Sequence, residues 1–218
     1  EKEFGMMGIK LLPHEERYKR TEAFIKILIG LWSEAPGTFQ HDSPWYQVKD
    51  GYSLPQPNKL PPIANAGTSE DAKQMTSSLC DWAFISTPTI EATAGIVSDI
   101  TQRASRVGRT VRCAAFPFVL WRDSEDEAQS ELAKIIQHKD EVAAQNWLDG
   151  LAIGSGSFDQ FTLDMMTVGA GAVHVIGTAE QVAIKIKEMH DGGLNGILMV
   201  FQAYLNDTIR FKKDIMPI

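Results

Sequence analysis

The pattern of apolar positions switches repeatedly between helical and extended spacing along the chain. After Pro13, the segment HEERYKRTEAFIKILIGLW places Tyr18, Ile25, Leu28 and Trp32 on one stripe, with Phe24, Ile27 and Leu31 beside it. That spacing predicts an amphipathic helix. Pro13 and the early Glu15 and Glu16 suit its N-terminus, and Gly37 ends the unit. The following stretch, FQHDSPWYQVKDGYSLPQPNKLPP, is aromatic and rich in proline and turn residues, so it reads as an irregular insertion holding a short hairpin.

Strands and helices then alternate. Ile63–Ala66 reads as a strand, and a helix from Ser69 to Leu79 carries Ala72, Met75 and Leu79 on one face. Asp81–Ser86 is the next strand. A helix from Thr89 follows on Ile90, Ala94, Val97, Ile100 and Ala104, with Gly108 as its C-cap. Thr110–Trp121 reads as a third strand, in which Pro117 predicts a bulge or an early end to pairing. Capping boxes are expected at Ser124–Glu127 and Thr178–Gln181. The first opens a helix on Ala128, Leu132, Ile135 and Ile136. The second opens a helix on Val182, Ala183, Ile186 and Met189, which closes at Gly192 and Gly193. Gly196–Phe201 is a buried strand, and a last helix runs to the C-terminus.

Residues 138–175 break this rhythm; the flanks read as helical and GLAIGSGSFDQF as a mobile loop. About four strands thus each precede a helix. Short apolar strands of this kind belong to a parallel sheet covered on both faces. Two α/β architectures fit: a small open doubly wound sheet, or part of a (β/α)8 barrel, which needs eight such units and ~250 residues.

Composition narrows the classes. The chain has 218 residues, 44% hydrophobic and 22% charged, in the range of one globular domain or a large part of one. Its net charge of -7 and its lack of a long basic run argue against nucleic acid or an anionic membrane surface as a partner. No run of apolar residues reaches the ~18 of a membrane span, and no signal-peptide pattern is present. Cys80 and Cys113 sit in apolar contexts and are expected to be buried thiols, which fits a cytoplasmic location.

The candidate chemistry concentrates where the first of these strands hands over to its helix. In PPIANAGTSEDAKQM, Gly67, Thr68 and Ser69 meet the helix N-terminus, whose unpaired N–H groups and partial positive charge suit a phosphate. The same residues also read as a plain helix cap. Glu70 and Asp71 favour the cap, since they already complement the dipole and would repel a dianion. Arg17 could fork onto a phosphate or carboxylate, or pair with neighbouring glutamates at the surface. None of the five histidines stands at metal-ligand spacing with another, so no metal site is expected; His41 is the best placed for acid–base work. Trp45 and Tyr46 have two readings, core packing or an apolar pocket wall. No nucleophile elbow, P-loop or Rossmann fingerprint appears. GSGS at Gly154–Ser157 and GAGA at Gly169–Ala172 read as flexible loop.

Several stretches together carry a family resemblance. EKEFGMMG, HEERYKRTEAFIKILIGLW, YSLPQP, PPIANAGTSEDAKQM, VIGTAEQVAIKIKEMHDGGLNGILMVF and RFKKDIMPI, in this order over almost the whole chain, resemble the luciferase-like flavin-dependent monooxygenases, most of all those acting on dimethylsulfone and on pyrimidines. The resemblance implies a TIM (β/α)8 barrel of the bacterial luciferase type. Residues 1–218 would be the C-terminal part of that single domain, about its last four strand–helix units, with 138–175 as an insertion or lid loop.

It also implies reduced FMN as cofactor, delivered by a separate NAD(P)H-dependent flavin reductase. One atom of O2 would be inserted into a small organic substrate, an organosulfur compound or a pyrimidine. A cytoplasmic homo-oligomer is expected. Matched motif by motif, Glu3 corresponds to an acidic residue near the flavin, Arg17 and Tyr18 to an Arg-Tyr pair that contacts FMN, and Ser69 to a serine of the FMN phosphate loop. Gly67 and Thr68 would contribute by position and backbone. The catalytic residues stay unassigned. A non-catalytic flavin-binding half-barrel subunit remains the alternative.

Overall fold

The computed structural model describes residues 2–151, 164 and 167–218. Two compact units divide them: Glu3–Ala83 with Ile100–Val111, and Phe84–Asp99 with Arg112–Ile218.

The first unit opens on a short helix, α1 (Lys2–Met6), followed by the long helix α2 (His14–Ser33). Pro13 stands at the N-cap with its fixed φ, and Glu15 and Glu16 lie in the first turn, as the sequence predicts. Helix α2 buries Ala23, Ile25, Ile27 and Gly30. The expected hairpin is present: β1 (Phe39–Asp42) pairs antiparallel with β2 (Gln47–Gly51). It packs tightly on α2, because a β-carbon at Gly30 would strike the Phe39 ring and one at Gly51 would come within 2.9 Å of Leu31. Glycine at these two positions lets ribbon and helix approach closely.

Strand β3 (Ala64–Asn65) runs parallel to β4 (Trp82–Ile85), Ala64 opposite Trp82 and Asn65 opposite Ala83. Helix α3 (Glu70–Leu79) joins them. Ile25, Met75 and Cys80 form the buried cluster of this unit, with Tyr18, Ile29, Ile63 and Leu79 packed against it. Each fully buried side chain of Met or Ile size contributes roughly 1.5–3 kcal/mol. Helix α4 (Ile90–Arg106) turns Val97, Ile100 and Ala104 inward, on the predicted stripe. Thr89 Oγ1 accepts from the Ala92 N–H at its start, and Gly108 takes φ +70° just beyond its end.

In the second unit, the predicted strand 110–121 is broken in two. β5 (Arg112–Ala115) pairs parallel with β8 (Gly196–Ile197), and β6 (Phe118–Trp121) pairs parallel with β7 (His174–Gly177). The break falls at Phe116-Pro117, as a proline without an N–H requires. Strand β7 was not among the predicted elements; it begins at the end of the 138–175 stretch, in a flank read as helical. Helices α5 (Glu125–Gln137) and α6 (Glu141–Leu151) follow β6, α7 (Ala179–Asp191) follows β7, and α8 (Tyr204–Asp214) follows β8. At Thr178 both bonds of the capping box form; at Ser124 the structure shows the forward bond, from Glu127 N–H to the hydroxyl.

Phe118, Leu120, Ala128, Val168, Ala172 and Ile176 make the second core, with Leu132, Ile135 and Ile136 beside it. The Gly169–Ala172 stretch is therefore a packed turn and not loose loop. Gly169, Ala170 and Gly171 take φ of +71°, +57° and +77°, and a β-carbon at Gly169 would come within 2.9 Å of the Phe118 side chain. The GSGS stretch at Gly154–Ser157, like residues 152–163 of the expected lid, lies outside the described residues.

Candidate functional site

Helix α3 begins at the feature the sequence singled out. Its first N–H groups have no intrahelical acceptor, as at any helix start. Ser69 is the N-cap, and its Oγ accepts from the Ala72 N–H at 3.3 Å. A hydroxyl that accepts in this way keeps its own proton to donate, so the cap leaves the Ser69 O–H available to an anion.

Gly67 brings a second helix to this point. A β-carbon there would collide with the Tyr18 hydroxyl and lie 2.7 Å from Ala72 Cβ and 3.4 Å from Asn65 Nδ2. The phenol of Tyr18 therefore reaches from α2 to the loop at the head of α3, over a residue that must lack a side chain. Beneath it, Asn65 Nδ2 donates to Thr76 Oγ1 at 2.8 Å, and that hydroxyl donates to Ala72 O at 2.7 Å. This fully buried threonine ties the end of β3 to the first turns of α3.

Arg17 precedes Tyr18 on α2. Its Nε is buried and has no hydrogen-bond partner among the described residues. A buried guanidinium nitrogen without an acceptor is costly and calls for one, a role an anion can fill. The reading of Arg17 as a surface group paired to neighbouring glutamates is not what the structure shows: Glu15 instead pairs with Lys19 at 2.5 Å.

The two acids that weakened the phosphate reading both have partners. Glu70 is paired with Lys73 and, at 2.7 Å, with Arg103 of α4. The hydrogen bonds from Lys73 and then Arg103 hold its carboxyl below the usual range. Asp71 Oδ2 lies 3.0 Å from His14 Nδ1 in the first turn of α2. Neither the His14 nor the Arg103 partnership was legible beforehand; the partners stand 57 and 33 residues apart.

The remaining expected residues divide. Thr68 lies between Gly67 and the cap, where its backbone belongs to the same loop. Glu3 has its backbone on α1, and its side chain lies outside the described residues. Tyr46 turns to α2, where its hydroxyl accepts from Arg20 Nε at 2.9 Å and its ring stands 6.1 Å from Phe24. It is thus anchored to that helix. His41 stacks on Phe39, and its Nε2 is buried without a partner among the described residues. Cys80 and Cys113 are buried, and burial pushes both thiols up to about 11. Among the described residues no cluster of His, Cys, Asp and Glu has the arrangement of a metal site, and no helix is long and apolar enough to cross a membrane.

Known proteins share this arrangement of sequence and fold. A family profile described as "Luciferase-like monooxygenase" matches residues 1–196. The chain is 32% identical to an FMNH(2)-dependent dimethylsulfone monooxygenase of Pseudomonas fluorescens (strain Pf0-1), over 99% of this chain and 61% of that protein. It is 26% identical to the pyrimidine monooxygenase RutA of Acinetobacter baylyi, again over 99% of this chain and 61% of the relative. The chain thus spans about three fifths of the length of the curated relatives it matches. Among solved structures, long-chain alkane monooxygenase (LadA) aligns with a TM-score of 0.78 at 22% identity, covering 99% of this chain and 58% of that one. DmoA from Hyphomicrobium sulfonivorans aligns at 0.77 and 18%, covering 95% and 56%. At these identities the likeness is one of fold: α/β with parallel strands, of the luciferase-type TIM barrel.

Proposed function

Because the chain belongs to the luciferase-like monooxygenase family, we propose that it is the cofactor-phosphate-binding part of a monooxygenase that works with reduced FMN. The observation that carries this reading is the Tyr18 phenol set against Gly67 at the head of α3, with the unpartnered Arg17 Nε on the neighbouring residue of α2. A buried, unpartnered Arg17 Nε and a glycine cradle closed by the Tyr18 phenol fit a phosphate monoester. Gly67, Thr68 and Ser69 would supply backbone N–H groups and hydroxyls, Arg17 a charge-assisted fork, and Tyr18 a phenolic donor. Glu3 would lie near the flavin.

Bound reduced FMN supplies the two electrons that let one atom of O2 enter the substrate while the other leaves as water. The chain's own contribution is to hold the phosphate rigidly, to orient the cofactor from that anchor, and to exclude water from it. With Glu70 paired to Lys73 and Arg103 and Asp71 in hydrogen-bond contact with His14, both carboxylates are engaged within the protein, and the dipole of α3 remains to favour the dianion.

The substrate we propose is a small organosulfur compound or a pyrimidine, by analogy with the dimethylsulfone and pyrimidine monooxygenases it resembles. The flavin would come from a separate NAD(P)H-dependent reductase, and the enzyme would act as a homo-oligomer in the cytoplasm. Residues 1–218 would form the C-terminal part of one barrel domain. The test is oxygenation by the full-length protein with an unrelated flavin reductase, scored by 18O from labelled O2 in the product. Label appearing in a sulfone- or pyrimidine-derived product supports the reading. FMN binding without labelled product from either class would instead favour a non-catalytic flavin-binding subunit.

A further inference from the structure

Asp71 is an unexpected residue to find in the first turn of a helix that receives a phosphate, and His14 is an unexpected partner for it. The two side chains are each nearly half exposed, yet Nδ1 and Oδ2 stand 3.0 Å apart. Asp71 is the second residue of α3, two positions after the Ser69 cap. His14 is the first residue of α2. The contact therefore joins the heads of the two helices that build the anion site. The His14 ring also meets the Tyr18 ring, at 5.0 Å between centroids and a tilt of 52°. Tyr18 in turn reaches the Gly67 cradle. One imidazole thus touches both an acid of the first turn of α3 and the phenol that reaches Gly67.

We propose that His14 is a positioning residue for the bound phosphate. It holds the Asp71 carboxylate to itself and seats the Tyr18 phenol over Gly67. The inference rests on the phosphate-site reading above. It assigns His14 no contact with flavin. Its physical content is a charge argument. Like charges a few ångströms apart near a protein surface repel, less so under salt screening, so a carboxylate released toward a dianion weakens its binding. Exposed polar contacts of this kind contribute little to stability, so the loss of this one falls on affinity rather than on folding.

The test uses the full-length protein and two probes, FMN and riboflavin, which differ only in the phosphate. His14→Ala should cut the preference for FMN over riboflavin about three- to tenfold, leave the riboflavin Kd within about twofold, and leave the melting temperature nearly unchanged. His14→Gln, which can still donate to the carboxylate, should retain most of the preference. The sharpest arm is the double variant: removing the charge with Asp71→Asn in the His14→Ala background should restore part of the lost preference. An unchanged preference in His14→Ala, or no recovery in the double variant, overturns the proposal while leaving the phosphate site intact. Wild-type protein binding both flavins equally overturns the phosphate site itself, and this inference with it.

Discussion

The hydroxyl of Tyr18, on α2, occupies the space into which a side chain at Gly67 would grow, and Ala72 Cβ stands 2.7 Å from the same point. The phenol can swing away, being the end of a side chain, but the Ala72 methyl is fixed by the helix. Gly67→Ala should therefore cost roughly 1–3 kcal/mol of stability by overpacking. It should also displace Tyr18 and raise the FMN Kd at least about tenfold in a fluorescence titration, with a smaller change for riboflavin.

The phosphate-site proposal gives Ser69 a second role beside its cap, and substitutions can separate the two. Its Oγ accepts from the Ala72 N–H, so Ser69→Ala should lower stability by about 1 kcal/mol and weaken FMN as well. Ser69→Asp keeps a capping acceptor but adds a negative charge. It should recover the melting temperature while weakening FMN further. Full FMN affinity in Ser69→Asp would make the residue a cap alone.

Much of the scaffold was legible because it rests on local rules. The α2 start at Pro13, the hairpin in the aromatic insertion, the α3 cap at Ser69 and the Thr178 capping box all follow from residues within a few positions of one another. The interruption at Pro117 was legible for the same reason. Strand β7 was not, although Ala172, Val173, Val175 and Ile176 form an apolar run, because the glycines before it suggested loop. They in fact make a left-handed turn held against Phe118. The electrostatics of the site were hidden for a different reason. Glu70 and Asp71 read as repulsive in one dimension, and only folding brings Arg103 and His14 to them.

His174 supplies a pH-dependent element in the second unit. Burial lowers its pKa, only partly offset by the hydrogen bond to Val168 O. A histidine with a folded pKa below its unfolded value disfavours the folded state once the unfolded chain takes up the proton. Stability should therefore be full above about pH 6.5 and fall as the pH drops below it, toward the depressed folded value. Thermal melts between pH 5 and 8 should show this slope, and His174→Gln should flatten it.

The two cysteines make an independent check of the cores. Burial pushes both thiols up to about 11, so neither holds a thiolate at neutral pH. A thiol reagent at pH 8 should leave Cys80 and Cys113 unmodified in the native protein and react with both after denaturation. Rapid labelling of either in the native state would contradict the burial described.

The central claim is that the head of α3, together with Arg17 and Tyr18, holds the flavin phosphate. Its most direct measurement is the ratio of riboflavin to FMN dissociation constants for the full-length protein, wild type beside Arg17→Ala. The account predicts FMN tighter by about tenfold or more in the wild type, and most of that advantage gone in Arg17→Ala with riboflavin binding little changed. Equal affinities for the two flavins in the wild type, or an FMN preference untouched by Arg17→Ala, would contradict it.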